Sequence, residues 1–386
     1  MIAYNTEWLN NLFIRQQAMK AFQQDRLLKE EWENISNKYP LYFYSPNFFI
    51  RIGLFTLTTI ILLFSFGLLS LLFLDSIDHA VGGLAIFFGI FSYGALEYMV
   101  QVKKHFQSGV DDALLWSSAG CIFGGISYLA NAGGLANCLL IFMISFYCCL
   151  RFADRLMSVV AYISLAGIFF FVIIRAGPAV KPFVPFVLMA ISAGIYWLAK
   201  KLDRSAINQL YLDCLQVVSV AALLGFYFAG NYYVVRELSI SLFNLTLAPS
   251  ESIPFGWFFW LFTMLVPCVY IGRGIRKKDM VLLRVGLLLT AVIILTIRYY
   301  HFIAPVEVML TVGGIVLVAV SYTLTRYLKT PKYGFTSLET ASAGEREKRA
   351  IESLLLAQTF AGSQPATDGS SFGGGNFGGG GASGEF

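Results

Sequence analysis

Charged residues are scarce in this chain. Lys, Arg, Asp and Glu together make up 13 % of the 386 residues, whereas hydrophobic residues make up 57 %. Soluble domains carry about 25 % charged residues. The composition therefore excludes an ordinary soluble protein and indicates one that lies in a lipid bilayer.

Sequence patterns of known catalytic and cofactor sites are also missing. The chain contains no glycine-rich phosphate loop ending in Lys-Ser or Lys-Thr, no His-Glu-x-x-His, no Gly-x-Ser-x-Gly and no Cys or His cluster with metal-ligand spacing. The six cysteines all fall in apolar segments, where we expect small buried hydrophobes. We therefore expect no enzyme, cofactor, metal or nucleic-acid partner; an intramembrane enzyme ranks last among the hypotheses.

Long apolar runs are what the sequence has instead. Residues 52–74 form 23 positions without a charge, which as a helix spans about 34 Å, enough to cross a bilayer. Similar segments follow at about 80–100, 113–130, 133–150, 156–174, 183–199, 210–231, 254–272, 280–297 and 303–325. The predicted fold is an all-α polytopic helical membrane bundle of about ten transmembrane helices, whose first helix is an uncleaved anchor.

Basic residues sort to alternate turns between these segments. The even-numbered turns carry eleven cations (Lys103, Lys104, Arg151, Arg155, Lys200, Lys201, Arg204, Arg273, Arg276, Lys277 and Lys278), and the odd-numbered turns carry four (Arg175, Lys181, Arg236 and Arg298). Positive charge in short loops favours the cytoplasmic side. The pattern predicts that both termini are cytoplasmic.

Four regions follow from this division. Residues 1–47 are predicted to form cytosolic helices against the membrane or the bundle, and 48–328 the ten-helix transmembrane domain. Residues 329–360 are predicted to contain a cytosolic amphipathic helix, and 361–386 a disordered Gly/Phe-rich tail. The segment 231–254 is too short and polar to span; an interfacial helix or a packed cap is predicted, with a substrate lid as the alternative.

Candidate functional residues fall into three sets. Arg175, Arg236, Arg298, His301 and Glu307 form a candidate polar mouth on the outer side, against the simpler interpretation of a solvated rim. Glu97 and Arg284 form a candidate ion pair near the inner side, where Asp111 and Asp112 are predicted helix caps. Phe372, Phe377 and Phe386 are candidate contacts of the tail with a partner. Gly120, Gly124 and Gly125 are predicted to allow close helix packing.

Two stretches carry a resemblance. The run from Asn37 to Phe55, Asn-Lys-Tyr-Pro-Leu-Tyr-Phe-Tyr-Ser-Pro-Asn-Phe-Phe-Ile-Arg-Ile-Gly-Leu-Phe, with Gly-Val-Asp-Asp-Ala-Leu-Leu-Trp at 109–116, resembles an uncharacterised group of bacterial inner-membrane proteins. The resemblance implies cytosolic helices ahead of about ten spans and transfers no catalytic residue. The glycine-rich end is similar to tails of many bacterial membrane and envelope proteins.

Two functional hypotheses follow. The first is a component of a membrane or envelope complex that binds a protein partner through its N-terminal helices or C-terminal tail. The alternative is a secondary transporter of a small solute, in which two groups of five helices surround a transport site and the polar mouth admits the solute.

Overall fold

The described part of the chain is mainly helical. The computed structural model describes residues 2–23, 26–71, 77–203, 210–243, 253–277 and 279–300, together with single residues between 311 and 326. The helices are α1 (Thr6–Gln23), α2 (Lys29–Lys38), α3 (Phe48–Leu71), α4 (Ile77–Gln101), α5 (Val110–Leu129), α6 (Gly134–Phe152), α7 (Arg155–Arg175), α8 (Val184–Asp203), α9 (Leu212–Gly230), α10 (Tyr232–Phe243), α11 (Gly256–Lys277) and α12 (Met280–Tyr300). A short 3-10 helix, Pro178–Phe183, precedes α8.

Nine of the ten predicted apolar segments coincide with helices, namely α3 to α9, α11 and α12. Seven helices are long and apolar enough to cross a membrane by length and composition: α3, α4 from Val81, α6, α7, the stretch Val180–Asp203, α9 and α11. These features fit an integral, multi-pass membrane protein. Of the tenth segment only single residues from 311 onward are described, and the regions 329–360 and 361–386 lie outside the described residues.

Consecutive helices pair as hairpins. The most extensive interhelical contacts are those of α4 with α5, α6 with α7, α8 with α9, and α11 with α12. Between hairpins, α3 packs on α5, α5 on α6, α7 on α9, and α9 on both α11 and α12. The turns of all four hairpins lie at one end of the bundle, as the ion pairs described below show, and we call this end the loop end.

Glycine allows the close approach of α4 and α5. A Cβ atom added to Gly125 would lie 2.5 Å from the carbonyl oxygen of Gly82, and one added to Gly89 would lie 3.1 Å from that of Ser118. Such separations fit the small-residue packing of membrane helices. The prediction for Gly125 is confirmed, whereas Gly120 and Gly124 have open space at the Cβ position and do not belong to this contact face.

The short helix α10 packs on the bundle. Its 12 residues are too few to span a bilayer, and Tyr232 and Val235 are buried in a cluster with Phe259 of α11. Asn231, just before α10, donates from Nδ2 to the hydroxyl groups of Tyr227 and Thr296. The segment 231–243 is thus a helical element that packs on the bundle, and its place as a cap over the bundle stays a prediction.

The N-terminal region docks at the loop end. Tyr4 and Leu9 are buried in a core cluster with Leu96 and Phe152, and the backbone N–H of Ala3 donates to the carbonyl oxygen of Arg151 at 2.8 Å. The first residues of this region therefore contact the bundle, which was one of the two predicted placements, and the cytosolic location of the region stays a prediction. Helix α2, in contrast, has no buried residue.

A methyl group at Gly125 should separate α4 from α5. We expect Gly125→Ala to lower the free energy of unfolding by about 1–3 kcal/mol, since the added carbon meets the backbone of α4 as well as the side chain of Ile86. Gly124→Ala is the matched control, because the open space there leaves only the gain in helix propensity, about 1 kcal/mol. Unfolding of the purified chain in mixed micelles measures both, and equal effects would contradict the assigned packing face.

Candidate functional site

Charged side chains at the loop end connect the hairpins one after another. Four interhelical ion pairs lie there: Arg51–Asp112, Glu97–Arg151, Arg155–Asp213 and Lys200–Asp279. The first links α3 to the α4–α5 hairpin and the second links that hairpin to α6–α7. The third continues to α8–α9 and the fourth to α11–α12. Each hairpin is thereby tied to the next.

Glu97 has a different partner from the predicted one. Its carboxylate accepts from Arg151 through two parallel contacts, Nε to Oε1 at 3.0 Å and the terminal nitrogen NH2 to Oε2 at 3.1 Å, in the bidentate geometry that suits a guanidinium. Tyr93 donates to Oε1 at 2.7 Å and Gln101 donates to Oε2 at 2.6 Å. The prediction that Glu97 pairs with Arg284 is replaced by this network, whose members lie on α4 and α6.

The start of α5 positions two carboxylates. Gly109, with φ of +92°, takes a backbone conformation that favours glycine, and a Cβ there would collide with the carbonyl oxygen of Arg51. Asp112 accepts from the Nε of Arg51 at 3.0 Å and from its NH2 at 2.6 Å. Asp111 accepts through Oδ1 from the backbone N–H of Ser108 at 2.8 Å and from its hydroxyl at 3.0 Å. Neither side chain caps the helix in the predicted way, since Gly109 occupies the N-cap position.

Asp154 begins α7. Its Oδ1 accepts from the backbone N–H of Met157 at 2.7 Å, the bond of an N-cap. Burial raises the pKa of the Asp154 carboxyl, and the N–H groups of Met157 and Leu156 oppose that rise only in part. Burial, followed by the nearby Asp111, likewise raises the pKa of Tyr4 well above its ordinary value.

At the other end of the series of ion pairs, Lys200 pairs with Asp279, whose pKa is lowered, in contrast to the raised pKa of Asp154. Burial acts to raise the pKa of Asp279, but the ammonium of Lys200 at 3.1 Å outweighs burial and holds this pKa below its ordinary value. Asp279 also accepts from the backbone N–H groups of Val281 and Leu282 and so begins α12.

A cavity of about 610 Å³ opens beside these charges. Residues from the N-terminal segment, α3, α4, the α4–α5 turn with α5, the end of α6 through the start of α7, and α9 line it. They combine aromatic rings, aliphatic side chains, three carboxylates and two guanidinium groups. Its volume lies in the range of small-molecule sites. No sequence pattern predicted this cavity, because its lining comes from six separate stretches of the chain.

The predicted polar mouth is described only in part. Arg175 is exposed at the last residue of α7, and Arg236 is 7 % exposed within α10. The side chain of Arg298 and the residues His301, Glu307, Phe372, Phe377 and Phe386 lie outside the described residues. The convergence of the mouth and the role of the tail stay predictions.

Among the described residues, no group of three or more His, Cys, Asp or Glu side chains is arranged to hold a metal ion. No protein-family model, curated protein or solved structure matches this chain. The helices alone therefore define the class: an α-helical protein with seven helices, among its described residues, that are long and apolar enough to span a membrane.

The network of Glu97 should stabilise the junction of two hairpins. We expect Glu97→Gln and Arg151→Gln each to lower the free energy of unfolding by about 1–3 kcal/mol, because each leaves a half-buried charge without its partner. The double variant should lose less free energy of unfolding than the sum of the losses in the two single variants. Reversible unfolding in mixed micelles gives the coupling energy.

Arg155 and Asp213 supply the matched comparison. Their side chains are 50 % and 58 % exposed, so the same cycle at this pair should give a coupling below about 1 kcal/mol. A larger coupling at the exposed pair than at Glu97–Arg151 would contradict this ranking.

Asp154 should make stability depend on pH. Asp154→Asn keeps an oxygen that can cap α7 without a buried charge, whereas Asp154→Ala should cost about 1 kcal/mol. The carboxyl has a raised pKa in the folded state, so folding is favoured while it is protonated. This contribution is fully present below the unfolded-state pKa of about 4 and is lost as pH rises through the folded-state pKa.

Unfolding measured from about pH 4 to pH 8 tests this sign. Relative to Asp154→Asn, the wild-type chain should lose stability as pH rises and then level off. A gain in wild-type stability over the same range would show that the buried carboxyl has a lowered pKa instead.

Proposed function

We propose that this chain is a component of a membrane complex and that it holds a protein partner through helices α1 and α2. In this proposal it is a bacterial inner-membrane protein with ten spans, and the loop end faces the cytoplasm together with both termini. The sorting of basic residues to the hairpin turns supports that orientation.

The arrangement of the N-terminal region carries the proposal. Its first residues are anchored in the core of the loop end, where the ring of Tyr4 meets that of Phe106 at 5.0 Å between centroids. Helices α1 and α2 pack on each other, with Phe22 stacked on Trp32 at 6.4 Å. A short parallel bridge between Tyr44 and His105 holds the end of the region. The region is thus attached at both ends.

Most of α2 is not used in this attachment. The helix has no buried residue, and its surface presents Lys29, Glu30, Glu31 and Glu33. A short isolated helix is only marginally stable in water, so contacts with α1 hold α2 folded. A folded, charged helix that is fixed to the bundle but contributes nothing to its core suits the binding of a second protein.

Charge reversal on α2 tests the proposal. The full-length chain carrying Glu30→Lys and Glu33→Lys should recover a cytoplasmic partner about tenfold less than the wild type, as expected for the loss of charge pairs at an interface. Lys103→Gln, an exposed position in the α4–α5 turn, is the control and should recover it fully. Quantitative co-purification after crosslinking in cells measures recovery.

Removal of residues 361–386 separates the two candidate binding regions. Loss of the partner on this deletion, with full recovery by the α2 variant, would move the site from α2 to the tail. Unchanged recovery by both variants would contradict a partner at either end.

The transporter alternative depends on the polar mouth, of which two side chains are described. Its test is solute flux into liposomes that contain the purified chain, with Glu307→Ala and Arg298→Ala as variants. Flux that falls in both variants would favour transport, and equal flux would remove these residues from the mechanism.

A further inference from the structure

The cavity at the loop end is both acidic and aromatic. Three carboxylates line it, those of Asp111, Asp112 and Asp154, against the two guanidinium groups of Arg51 and Arg155. Both arginines already have carboxylate partners, Asp112 and Asp213 respectively. Among the described residues no cation forms a salt bridge with Asp111 or Asp154. With three carboxylates against two guanidinium groups, the cavity walls carry a net negative formal charge.

Asp111 shows where a ligand would bind. The residue is 4 % exposed, and both of its hydrogen bonds, from the N–H and the hydroxyl of Ser108, go to Oδ1. Its Oδ2 accepts no hydrogen bond from the described residues. A carboxylate at a cavity wall can accept a strong, charge-assisted hydrogen bond from a positively charged N–H donor.

The aromatic walls favour the same kind of ligand. The rings of Tyr4, Phe48, Phe55, Trp116 and Phe152 line the cavity. The face of an aromatic ring attracts a cation, most strongly where water is excluded. Carboxylates together with aromatic rings are thus complementary to an ammonium group, whereas a carboxylate or an uncompensated phosphate would meet like charge.

The cavity also reaches the apolar outer surface of the bundle. Ile52 of α3 and Leu156 of α7 line it and are nevertheless 48 % and 58 % exposed. Helix α3 has no buried residue at all. Phe55 lies about 10 Å along α3 from its start, so the cavity extends from the charged helix ends into the depth of the hydrocarbon boundary. An acyl chain can therefore lie along α3 while a headgroup occupies the cavity.

We propose that this cavity binds the headgroup of an amine-bearing phospholipid, with the ammonium between Asp111, Asp154 and the aromatic rings. The phosphate lies toward Arg51 and Arg155, and the acyl chains leave between α3 and α7. The site does not depend on the partner proposed for α2.

Lipid retention by the purified full-length chain tests the site. The chain is incubated with micelles containing phosphatidylethanolamine, phosphatidylcholine or phosphatidylglycerol, and bound lipid is counted by native mass spectrometry. Phosphatidylethanolamine should be retained best, because it alone offers both an N–H donor for Oδ2 of Asp111 and a positive charge. Retention of phosphatidylglycerol or phosphatidylcholine to the same extent would contradict the proposal.

Two variants act on the cavity by different means. Asp111→Asn keeps an oxygen for Ser108 but removes the charge, and should lower retention of phosphatidylethanolamine about tenfold, the effect of one charged hydrogen bond. Ile52→Trp fills the cavity from an exposed position and keeps every charge, so it tests the site even if Asp111→Asn fails to fold.

Asp279→Asn is the control, since it makes the same chemical change at the loop end away from the cavity. Retention should be unchanged in this variant. Equal retention by wild type, Asp111→Asn and Ile52→Trp would overturn the site. Displacement of the lipid by free ethanolamine at similar concentration would show that the cavity takes a soluble amine and overturn the assignment to a lipid.

Discussion

The serial ion pairs at the loop end are the constraint on which the arrangement of the hairpins depends. Apolar helices in a bilayer gain little from burying more apolar surface against each other, since lipid tails are equally apolar. An ion pair at the helix ends, in contrast, forms only between two particular side chains in a defined geometry. Arg51–Asp112, Glu97–Arg151 and Lys200–Asp279 are half-buried, so they fix which hairpin follows which more firmly than the exposed Arg155–Asp213.

The helices also pack against each other along their length, in the alignment that these ion pairs fix. Small residues allow the backbones to approach, as Gly82, Gly89 and Gly125 do between α4 and α5. Several buried serines satisfy their hydroxyls on their own helix; Ser145, for example, donates to the carbonyl oxygen of Ile141 at 2.6 Å, whereas the Oγ of Ser92 has no hydrogen-bond partner among the described residues. Such serines add no unpaired polar group to an interface. The bundle is thus specified by polar contacts at the loop end and by small side chains along the helices.

Much of this fold could be predicted from the sequence, and the limits have physical causes. Apolar runs place helices well, because a span needs a fixed length of apolar chain. They do not show which helix ends are neighbours. The sequence therefore predicts Arg284 as the partner of Glu97, whereas the structure has Arg151 there. Gly124 and Gly125 differ by about 100° around the helix, and the sequence does not show which of them faces α4.

The candidate site was harder to predict. The cavity draws on six stretches of the chain, and the sequence around Asp111 and Asp112 predicts ordinary helix caps. In the structure Gly109, with its positive φ, takes the N-cap position instead, and this is a property of the fold that the sequence does not show. Of the predicted polar mouth, Arg175 and Arg236 are described, and their relation to Arg298, His301 and Glu307 stays a prediction.

The sidedness of the loop end can be measured directly by labelling engineered cysteines. In a variant without the native cysteines, single cysteines replace exposed residues: Lys103 and Lys277 near two hairpin turns, and Asn131 between α5 and α6. A membrane-impermeant thiol reagent should label Asn131→Cys in intact cells, and Lys103→Cys and Lys277→Cys only after permeabilisation. Labelling of either lysine position in intact cells would contradict a single cytoplasmic loop end.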